Sequence, residues 1–252
     1  MRAIHEVPRR VRLAAFDVDE TILSIKGLFS FAEYFFCARP GASGKVGGEP
    51  FAAWFASLRA CGATISREQV NRRFYRAFAG YESSLVQRCA FDWFRQLLHS
   101  GEAILIEPVL AALEAYRKNH IPVALLTGSA RLFLTPLAKL LDATYVLSIE
   151  LEVDAAGVLT GELRPPQTIG EGKWQALCAL LEELGIDASE CVGYGDHLSD
   201  LPFLVRLGQA VVVEGDEALE NIAVKHGWRI LPRSCVVPPR SWRAGCVPEL
   251  TS

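Results

Sequence analysis

The sequence of 252 residues lacks any apolar run that approaches the about 20 residues needed to span a membrane. Its seven cysteines contain no CxxC pair, and such an odd, scattered set is typical of reduced thiols rather than of disulfides or a zinc framework. The net charge is only −3, so the composition does not favour nucleic acid or an anionic membrane as a partner. The N-terminal residues carry no apolar stretch behind their charges, and we therefore expect a cytoplasmic protein without a secretory signal.

The sequence does contain short apolar strands that alternate with helices. Half of the residues are hydrophobic, and the 20 glycines and 13 prolines are close to the globular average. Apolar strands are predicted at 11–16, 122–126, 191–194 and 210–213, with helices at 107–119, 131–141 and 173–185. This pattern predicts an α/β fold with a Rossmann-like parallel sheet covered on both faces, and a β-hairpin over 146–163 is the exception.

The segment 24–104 has a different composition from the rest of the chain. It holds 10 Lys and Arg against 6 Asp and Glu, and its aromatic residues recur at helical spacing. Ser66 and Gln69 form a capping-box pattern that predicts the start of a helix. On that helix the arginines fall largely off the apolar stripe, so a solvated face is predicted for Arg72, Arg73 and Arg76.

These differences predict how the chain is divided. We expect a helical insertion at 24–104 within an α/β core formed by 1–23 and 105–231. From 232 to 252 the chain loses its periodicity, which predicts a loosely ordered C-terminal tail.

Two short motifs contain four of the nine aspartates, and each motif directly follows an apolar strand. Asp17 and Asp19 lie in FDVDET, and Asp196 and Asp200 lie in GYGDHLSD. Because ligand sites in open α/β sheets lie beyond the carboxyl ends of the strands, the two motifs can converge. One carboxylate can then act as a nucleophile and its neighbour as an acid and base, although a lone Asp-x-Asp more often caps a turn. A cluster of four carboxylates calls for a hard dication such as Mg²⁺.

Two further elements fit the same chemistry. Thr127, Gly128 and Ser129 end a strand and precede a helix, where they offer a hydroxyl and backbone N–H groups to a phosphoryl oxygen. Lys173 lies at the start of a later helix and could neutralise a phosphoryl group and the nucleophile. The alternatives are an ordinary helix N-cap for the first element and a solvated lysine for the second.

The four motifs, read in order as DVDET, TGS, EGK and GYGDHLSD, resemble those of the haloacid dehalogenase (HAD) superfamily of phosphatases. The resemblance covers about residues 11–231 and is greatest to the phosphoserine-phosphatase-like subfamily (subfamily IB). It implies a Rossmann-like core, with the insertion at 24–104 acting as an α-helical cap that closes over the site. Such closure would exclude water and strengthen the electrostatic interactions inside.

The resemblance also implies a role for each motif residue. Asp17 would attack phosphorus to give an aspartyl-phosphate, and Asp19 would protonate the leaving oxygen and then activate water. Lys173 would balance the charge. The implied Mg²⁺ ligands are Asp17, the backbone carbonyl of Asp19, and Asp196, with Asp200 supporting water ligands or Lys173.

The residues that would bind the substrate match the pattern of the family less closely. Thr127, with Gly128 and Ser129, would hold the transferring phosphoryl group. Phosphoserine phosphatases typically carry a glutamate nine residues after the nucleophile, where it contacts the substrate's amino group, but this chain has Lys26. A cation there should repel an ammonium group, so we expect a small, anionic, non-amino phosphomonoester to bind.

Two other functions stay open at this point. A phosphotransferase would pass the phosphoryl group to an alcohol instead of water, and Asp19 could serve either acceptor. A non-enzymatic binding protein could use the same scaffold, although the presence of both Asp17 and Asp19 argues against a degenerate site. The sequence does not predict the oligomeric state, and the only partner it indicates is a small phosphorylated molecule.

Overall fold

The computed structural model describes residues 11–239 and 241–242. Its strands are β1 Leu13–Phe16, β2 Lys45–Val46, β3 Glu49–Pro50, β4 Leu105–Ile106, β5 Val123–Ala130, β6 Tyr145–Val153, β7 Leu159–Arg164, β8 Cys191–Gly195, β9 Gln209–Val213, β10 Arg229–Leu231 and β11 Cys235–Val236. Its α-helices are α1 Gly27–Glu33, α2 Phe51–Cys61, α3 Arg67–Arg76, α4 Ser83–His99, α5 Glu107–Lys118, α6 Arg131–Leu141, α7 Glu171–Leu184, α8 Leu201–Leu204 and α9 Glu217–His226. None of these helices is long and apolar enough to cross a membrane.

Seven strands form the central sheet, in the order β10-β9-β8-β1-β5-β6-β7. Neighbouring strands run parallel except β6 and β7, which form an antiparallel hairpin. The parallel order arises because helices connect successive parallel strands and carry the chain back along a face of the sheet. The predicted α/β class with a Rossmann-like sheet is confirmed.

Strand β1 lies at the centre of the sheet and is buried along its whole length. Its side chains alternate between the two faces, as they must in an extended strand. Leu13 and Ala15 belong to the apolar cluster that includes Leu177 of α7, whereas Ala14 and Phe16 belong to the larger cluster on the other face. Because both faces are covered, the loop after β1 emerges from a fixed point at the middle of the sheet.

Between β1 and β4 the chain forms α1, a π-helical turn at Tyr34–Ala38, and then α2, α3 and α4. The capping box exists as predicted, with the Ser66 hydroxyl accepting from the Gln69 backbone and the Gln69 side chain accepting from Ser66 N. The stretch before α2 contains the short β2–β3 hairpin. Its turn uses Gly47 and Gly48 at φ of +56° and +88°, a conformation that side chains with a Cβ disfavour.

The helical segment is also fastened to the β6–β7 hairpin. The backbone N–H of Gly80 donates to Leu159 O, and that of Ser83 donates to Gly157 O, both at 2.9 Å. The turn between α3 and α4 is therefore hydrogen-bonded to the hairpin rather than only packed against it.

The first residues of the predicted tail at 232–252 pair with the rest of the chain. Strand β11 pairs antiparallel with β4, and the N–H of Glu107 donates to Ser234 O at 2.9 Å. The Arg233 guanidinium donates to the backbone carbonyl of Glu20 and pairs with its carboxylate at 3.3 Å. Backbone pairing of two residues leaves no periodic pattern in the sequence, which is why this contact was missed. Residues 240 and 243–252 of that tail lie outside the described residues, as does 1–10 of the predicted core.

Candidate active site

Strand pairing at the centre of the sheet brings the two aspartate motifs together. Strands β1 and β8 are neighbours in register, and the N–H of Asp17 donates to Tyr194 O at 2.9 Å. The Thr21 hydroxyl oxygen lies 3.3 Å from Asp17 Oδ2 and 3.0 Å from Asp196 Oδ1. All of these polar side chains are buried. The convergence predicted for the two motifs is therefore found at the carboxyl edge of the sheet.

Lys173, in the first turn of α7, lies between two of the carboxylates. Its Nζ is 2.6 Å from Asp17 Oδ1 and 2.6 Å from Asp200 Oδ1. Burial alone lowers the pKa of a lysine, but the charges of Asp17 and Asp200 outweigh it and raise the pKa of Lys173. Lys173 is therefore a permanent cation in the floor of the site, not a solvated surface lysine.

Asp200 is held by the loop that carries it. Its Oδ2 accepts from the backbone N–H groups of Asp196 and His197, both at 3.3 Å. A Cβ at Gly195 would lie 2.8 Å from the Asp200 carboxylate, so glycine is needed for this close approach. The second glycine of GYGD thus has a packing reason that the sequence alone did not reveal.

Asp19 lies beside this cluster, with both oxygens hydrogen-bonded. Its Oδ1 accepts from the N–H of Gly27 at 2.8 Å, and its Oδ2 accepts from the Ser129 hydroxyl at 2.9 Å. Burial raises the pKa of Asp19, and the hydrogen bonds from Ser129 and Gly27 oppose that rise. A carboxyl group with a raised pKa can carry a proton and release it, as a general acid and base must.

The third predicted element, at the end of β5, faces the same space. Thr127 and Gly128 line the cavity described below, and Ser129 is buried behind them. The Ser129 N–H donates to Thr127 Oγ1 at 3.0 Å. The Thr168 hydroxyl donates to the Thr127 carbonyl at 2.6 Å. These bonds fix the turn, so the Thr127 side chain has a defined position.

Three of the carboxylates could hold a divalent metal. Asp17, Asp196 and Asp200 offer oxygens that all lie within 4.8 Å of one another, and all three residues are buried. Burial and the charge of Asp200 raise the pKa of Asp196 to about 6, and burial likewise raises the pKa of Asp17. One lysine cannot balance three buried carboxylates, so this all-oxygen set fits a hard dication. The Asp19 side chain is bonded elsewhere, and its carbonyl stays a predicted ligand.

A cavity of about 350 Å³ opens above these groups. The motif residues form its floor, and the helical segment forms much of the opposite wall. The apolar side chains that line it are Leu28, Phe29, Leu58, Val70, Phe74 and Ile169. The cavity therefore has a highly charged floor and a largely apolar wall.

Three cations stand at the mouth of the cavity, and their surroundings differ. Lys26 is the predicted one, and its Nζ lies 3.1 Å from the Glu20 carboxylate while half of the side chain is exposed. Arg67 donates to His197 Nδ1 at 2.7 Å and to the Ser199 hydroxyl at 2.9 Å. The Arg59 side chain makes no hydrogen bond or ion pair with any described residue. Lys26 thus lines the cavity, but part of its charge is offset.

Several of these residues were not found from the sequence. Arg59 and Arg67 line the cavity, whereas the arginines predicted to be solvated are exposed and lie outside its lining. Asn71 and Tyr75 are buried beside Gly128, and Thr21 is buried between two motif carboxylates. Only Thr21 had a local signal, since it ends the first motif.

The fold and the site together are typical of one class of α/β enzymes. The sheet is mostly parallel, buried carboxylates lie at its carboxyl edge, and a helical segment covers them. The family model of the haloacid dehalogenase-like hydrolases matches residues 14–205. The chain therefore belongs to the haloacid dehalogenase-like hydrolase family, as the order of its motifs predicted.

Three known proteins are similar to this chain in sequence or in fold. The chain is 27% identical over 228 residues to "Probable phosphatase Rv3661" of Mycobacterium tuberculosis, covering 89% of this chain and 76% of that protein. It resembles a solved structure from Bordetella pertussis Tohama I with a TM-score of 0.76 and 20% identity, over 88% of this chain and 98% of that one. A phosphoserine phosphatase solved as a phospho-aspartyl intermediate analogue gives a TM-score of 0.62 at 16% identity, over 93% and 98% of the two chains. The two structural likenesses show a shared fold.

Proposed function

We propose that this member of the family is a Mg²⁺-dependent phosphatase that hydrolyses a small, anionic phosphomonoester through an aspartyl-phosphate on Asp17. Phosphatase activity is what the family and the related M. tuberculosis protein support. The observation that carries the proposal is the buried Asp17 carboxylate, 2.6 Å from Lys173 at the floor of a cavity, with Asp19 and Thr127 beside it. This arrangement combines a nucleophile, an acid and base, and a countercharge.

The metal would be held by Asp17, Asp196 and the backbone carbonyl of Asp19, with Asp200 in support. Bound there, Mg²⁺ would neutralise the carboxylates and the phosphoryl oxygens. The excess of buried negative charge over the single cation Lys173 supports this assignment.

In the first half of the reaction, a carboxylate oxygen of Asp17 forms a bond to phosphorus. The bond between phosphorus and the leaving oxygen breaks, and the proton on Asp19 moves to that oxygen, so a neutral alcohol departs. Thr127 donates its hydroxyl hydrogen to a phosphoryl oxygen, and Lys173 balances the charge as it spreads over the phosphoryl group.

In the second half, the ionised Asp19 takes a proton from a water molecule. The water oxygen attacks phosphorus, and the bond from phosphorus to the Asp17 oxygen breaks. Inorganic phosphate leaves, with Asp17 ionised and Asp19 protonated as at the start. The raised pKa of Asp19 supports both of its roles, because the group must hold a proton in one half and accept one in the other.

The substrate class follows from the mouth and the wall of the cavity. We assign 24–104 as a cap that supplies the cations Lys26, Arg59 and Arg67 and most of the apolar wall. Arg59 is the strongest candidate for a second anionic group, since its charge has no described partner. The apolar wall favours a hydrocarbon segment between that group and the phosphate.

A reducing compartment such as the cytoplasm suits the chain. Six of the seven cysteines are free thiols, and the seventh, Cys246, lies outside the described residues. Their scattered positions indicate no disulfide framework, and disulfides are rare in proteins of reducing compartments, which supports this location.

The test is phosphate release from a panel of phosphomonoesters in Mg²⁺ and in EDTA. The pair 3-phosphoglycerate and O-phosphoserine differs by a hydroxyl against an ammonium group, so it isolates the expected preference for non-amino substrates. A series of ω-phosphonooxyalkanoates with growing chains keeps the leaving-group chemistry constant and probes the apolar wall.

We expect Mg²⁺-dependent release, faster for 3-phosphoglycerate than for phosphoserine, and kcat/KM that rises with chain length. Equal release in EDTA would contradict the metal assignment. Consumption of substrate only when an alcohol is added, with the phosphoryl group recovered on that alcohol and not as inorganic phosphate, would make the enzyme a phosphotransferase.

A further inference from the structure

Helix α3 of the helical segment reaches the turn at the end of β5. Asn71 Nδ2 and the Tyr75 hydroxyl both donate to the carbonyl of Gly128, each at 3.2 Å. The two residues are four apart and so lie on one face of the helix, and both are buried. A carbonyl oxygen has two lone pairs and can accept both bonds.

The amide of Asn71 is itself oriented. Gln167 Nε2 donates to Asn71 Oδ1 at 2.9 Å and to the Glu68 carbonyl at 3.0 Å. Because Oδ1 is engaged as an acceptor, Nδ2 must face Gly128. The donor on this side of the peptide is therefore fixed by a network rather than by a single contact.

The same peptide unit is held at its other end. Its N–H, that of Ser129, donates to Thr127 Oγ1 at 3.0 Å. Since this hydroxyl oxygen already accepts the Ser129 N–H, its own hydrogen is free to point at a ligand in the cavity. The Ser129 side chain, on the next Cα, donates to Asp19 Oδ2. Rotation of one peptide plane would thus disturb both the Thr127 hydroxyl and the bond to Asp19.

The carbonyl of the preceding peptide unit, Thr127–Gly128, is bonded to a different part of the chain. The Thr127 carbonyl accepts from Thr168, which precedes α7 in the core. Two consecutive carbonyls of this turn are therefore held by different parts of the molecule, the first by the core and the second by α3.

We propose that Asn71 and Tyr75 are positioning residues, which hold the Gly128–Ser129 peptide so that Thr127 and Asp19 are aligned for phosphoryl transfer. The inference rests on the proposed function. It means that the helical segment takes part in the chemistry and does more than bind the leaving group. Docking of α3 completes the phosphoryl-binding turn.

The first test compares Tyr75→Phe with Tyr116→Phe. Each change removes one hydroxyl from a buried tyrosine and keeps the ring, but the Tyr116 hydroxyl bonds to Tyr194 beneath the sheet, 3.1 Å away. We expect Tyr75→Phe to lower kcat about three- to tenfold with KM changed less than about twofold. Tyr116→Phe should leave kcat unchanged.

The second measurement needs no turnover. Orthovanadate resembles a phosphoryl group in transfer, and its dissociation constant can be measured from the thermal shift it causes in Mg²⁺. Tyr75→Phe should weaken vanadate binding about as much as it lowers kcat, and Tyr116→Phe should not. Adding Asn71→Ala to Tyr75→Phe should cost more than the product of the two single effects, because either donor alone partly holds the carbonyl.

The outcomes separate this inference from the proposed function. An active wild type whose Tyr75→Phe variant matches Tyr116→Phe in kcat and in vanadate binding overturns the positioning role alone. A Tyr75→Phe variant that raises KM at constant kcat does so as well. A wild type that releases no phosphate overturns the proposed function, while the vanadate titration still decides the inference. A wild type that neither hydrolyses nor binds vanadate overturns both.

Discussion

The floor of the cavity and its mouth are built in opposite ways. On the floor, Lys173 is 6% exposed and lies 2.6 Å from each of two carboxylates. At the mouth, Lys26 is 50% exposed and makes one looser ion pair, and Arg59 has no described partner. A buried charge must be paired and hydrogen-bonded, whereas an exposed one is stabilised by water. The floor therefore holds one fixed geometry, while the mouth can change its partners to suit a ligand.

The largest effect should come from the nucleophile. Asp17→Asn removes the attacking carboxylate, so we expect phosphate release in Mg²⁺ to fall by about 10⁴-fold or more. The fold should survive, because Asn keeps the shape and removes a buried charge whose desolvation raises the pKa of the native group. Circular dichroism and the thermal midpoint provide the control. Unchanged release would contradict the covalent mechanism.

Much of the floor of the cavity could be predicted from the sequence because its signals are local. Each aspartate motif follows a buried apolar strand, and parallel neighbours end at the same edge of the sheet, so Asp17 and Asp196 had to converge. Lys173 lies in the first turn of a helix, where a lysine alone is more often solvated, so its role was predicted only through the order of the four motifs. The strands, helices and hairpin of the core agree with the pattern for the same reason.

Apart from Lys26, the mouth could not be predicted, because its geometry depends on how the helical segment docks. On α3 the periodicity identified the apolar stripe, but it could not reveal that Asn71 and Tyr75 face Gly128. Arg59 and Arg67 line the cavity without any local sequence signal that predicts it. The Lys26–Glu20 ion pair and the anchoring of Glu20 by Arg233 also depend on tertiary contacts.

The comparison between floor and mouth can be sharpened by removing one lysine from each. Lys173→Met leaves Asp17 and Asp200 without their countercharge, and the free energy of unfolding in EDTA should fall by about 3 kcal/mol. Lys26→Met removes an exposed ion pair and should cost at most about 1 kcal/mol. Urea denaturation measures both. Equal losses in the free energy of unfolding would show that the two lysines contribute equally to stability despite their different burial.

A smaller effect is expected from Arg59. Arg59→Ala should lower kcat/KM for 3-phosphoglycerate about tenfold, because an unpaired cation at the mouth is lost. Glycerol 3-phosphate, which carries no carboxylate beside its phosphate, should be affected less. Arg72→Ala removes an exposed arginine of α3 that does not line the cavity and serves as the matched control. Equal losses of kcat/KM on the substrates with and without a carboxylate would show that Arg59 does not bind the second anionic group.

Metal binding at the floor should also depend on pH, with an effect of only about twofold at pH 6. Burial and Asp200 raise the pKa of Asp196 to about 6, and a metal ligand must be ionised. As pH falls through 6, protons compete, so the apparent Mg²⁺ dissociation constant should be about twofold higher at pH 6 than at pH 8, and about tenfold higher at pH 5. Isothermal titration calorimetry measures this constant.

The effect of Asp196 protonation on the stability of the metal-free protein provides a control. Because its pKa is raised in the folded state, protonation of Asp196 between pH 6 and 4 favours folding of the metal-free protein. Weaker Mg²⁺ binding at pH 5 should therefore not be accompanied by a loss of stability from this group. A Mg²⁺ dissociation constant that stays flat from pH 8 to 5 would contradict the assignment of Asp196 as a ligand.

The proposed covalent mechanism requires Asp17 to carry the phosphoryl group during turnover. The direct measurement is mass spectrometry of the peptide containing Asp17 after the enzyme is mixed with Mg²⁺ and its best substrate and quenched in acid. We expect one added phosphoryl group on Asp17, removed by hydroxylamine and missing from Asp17→Asn. Steady phosphate release with an unmodified Asp17 at every quench time, or with the label on another residue, would contradict it.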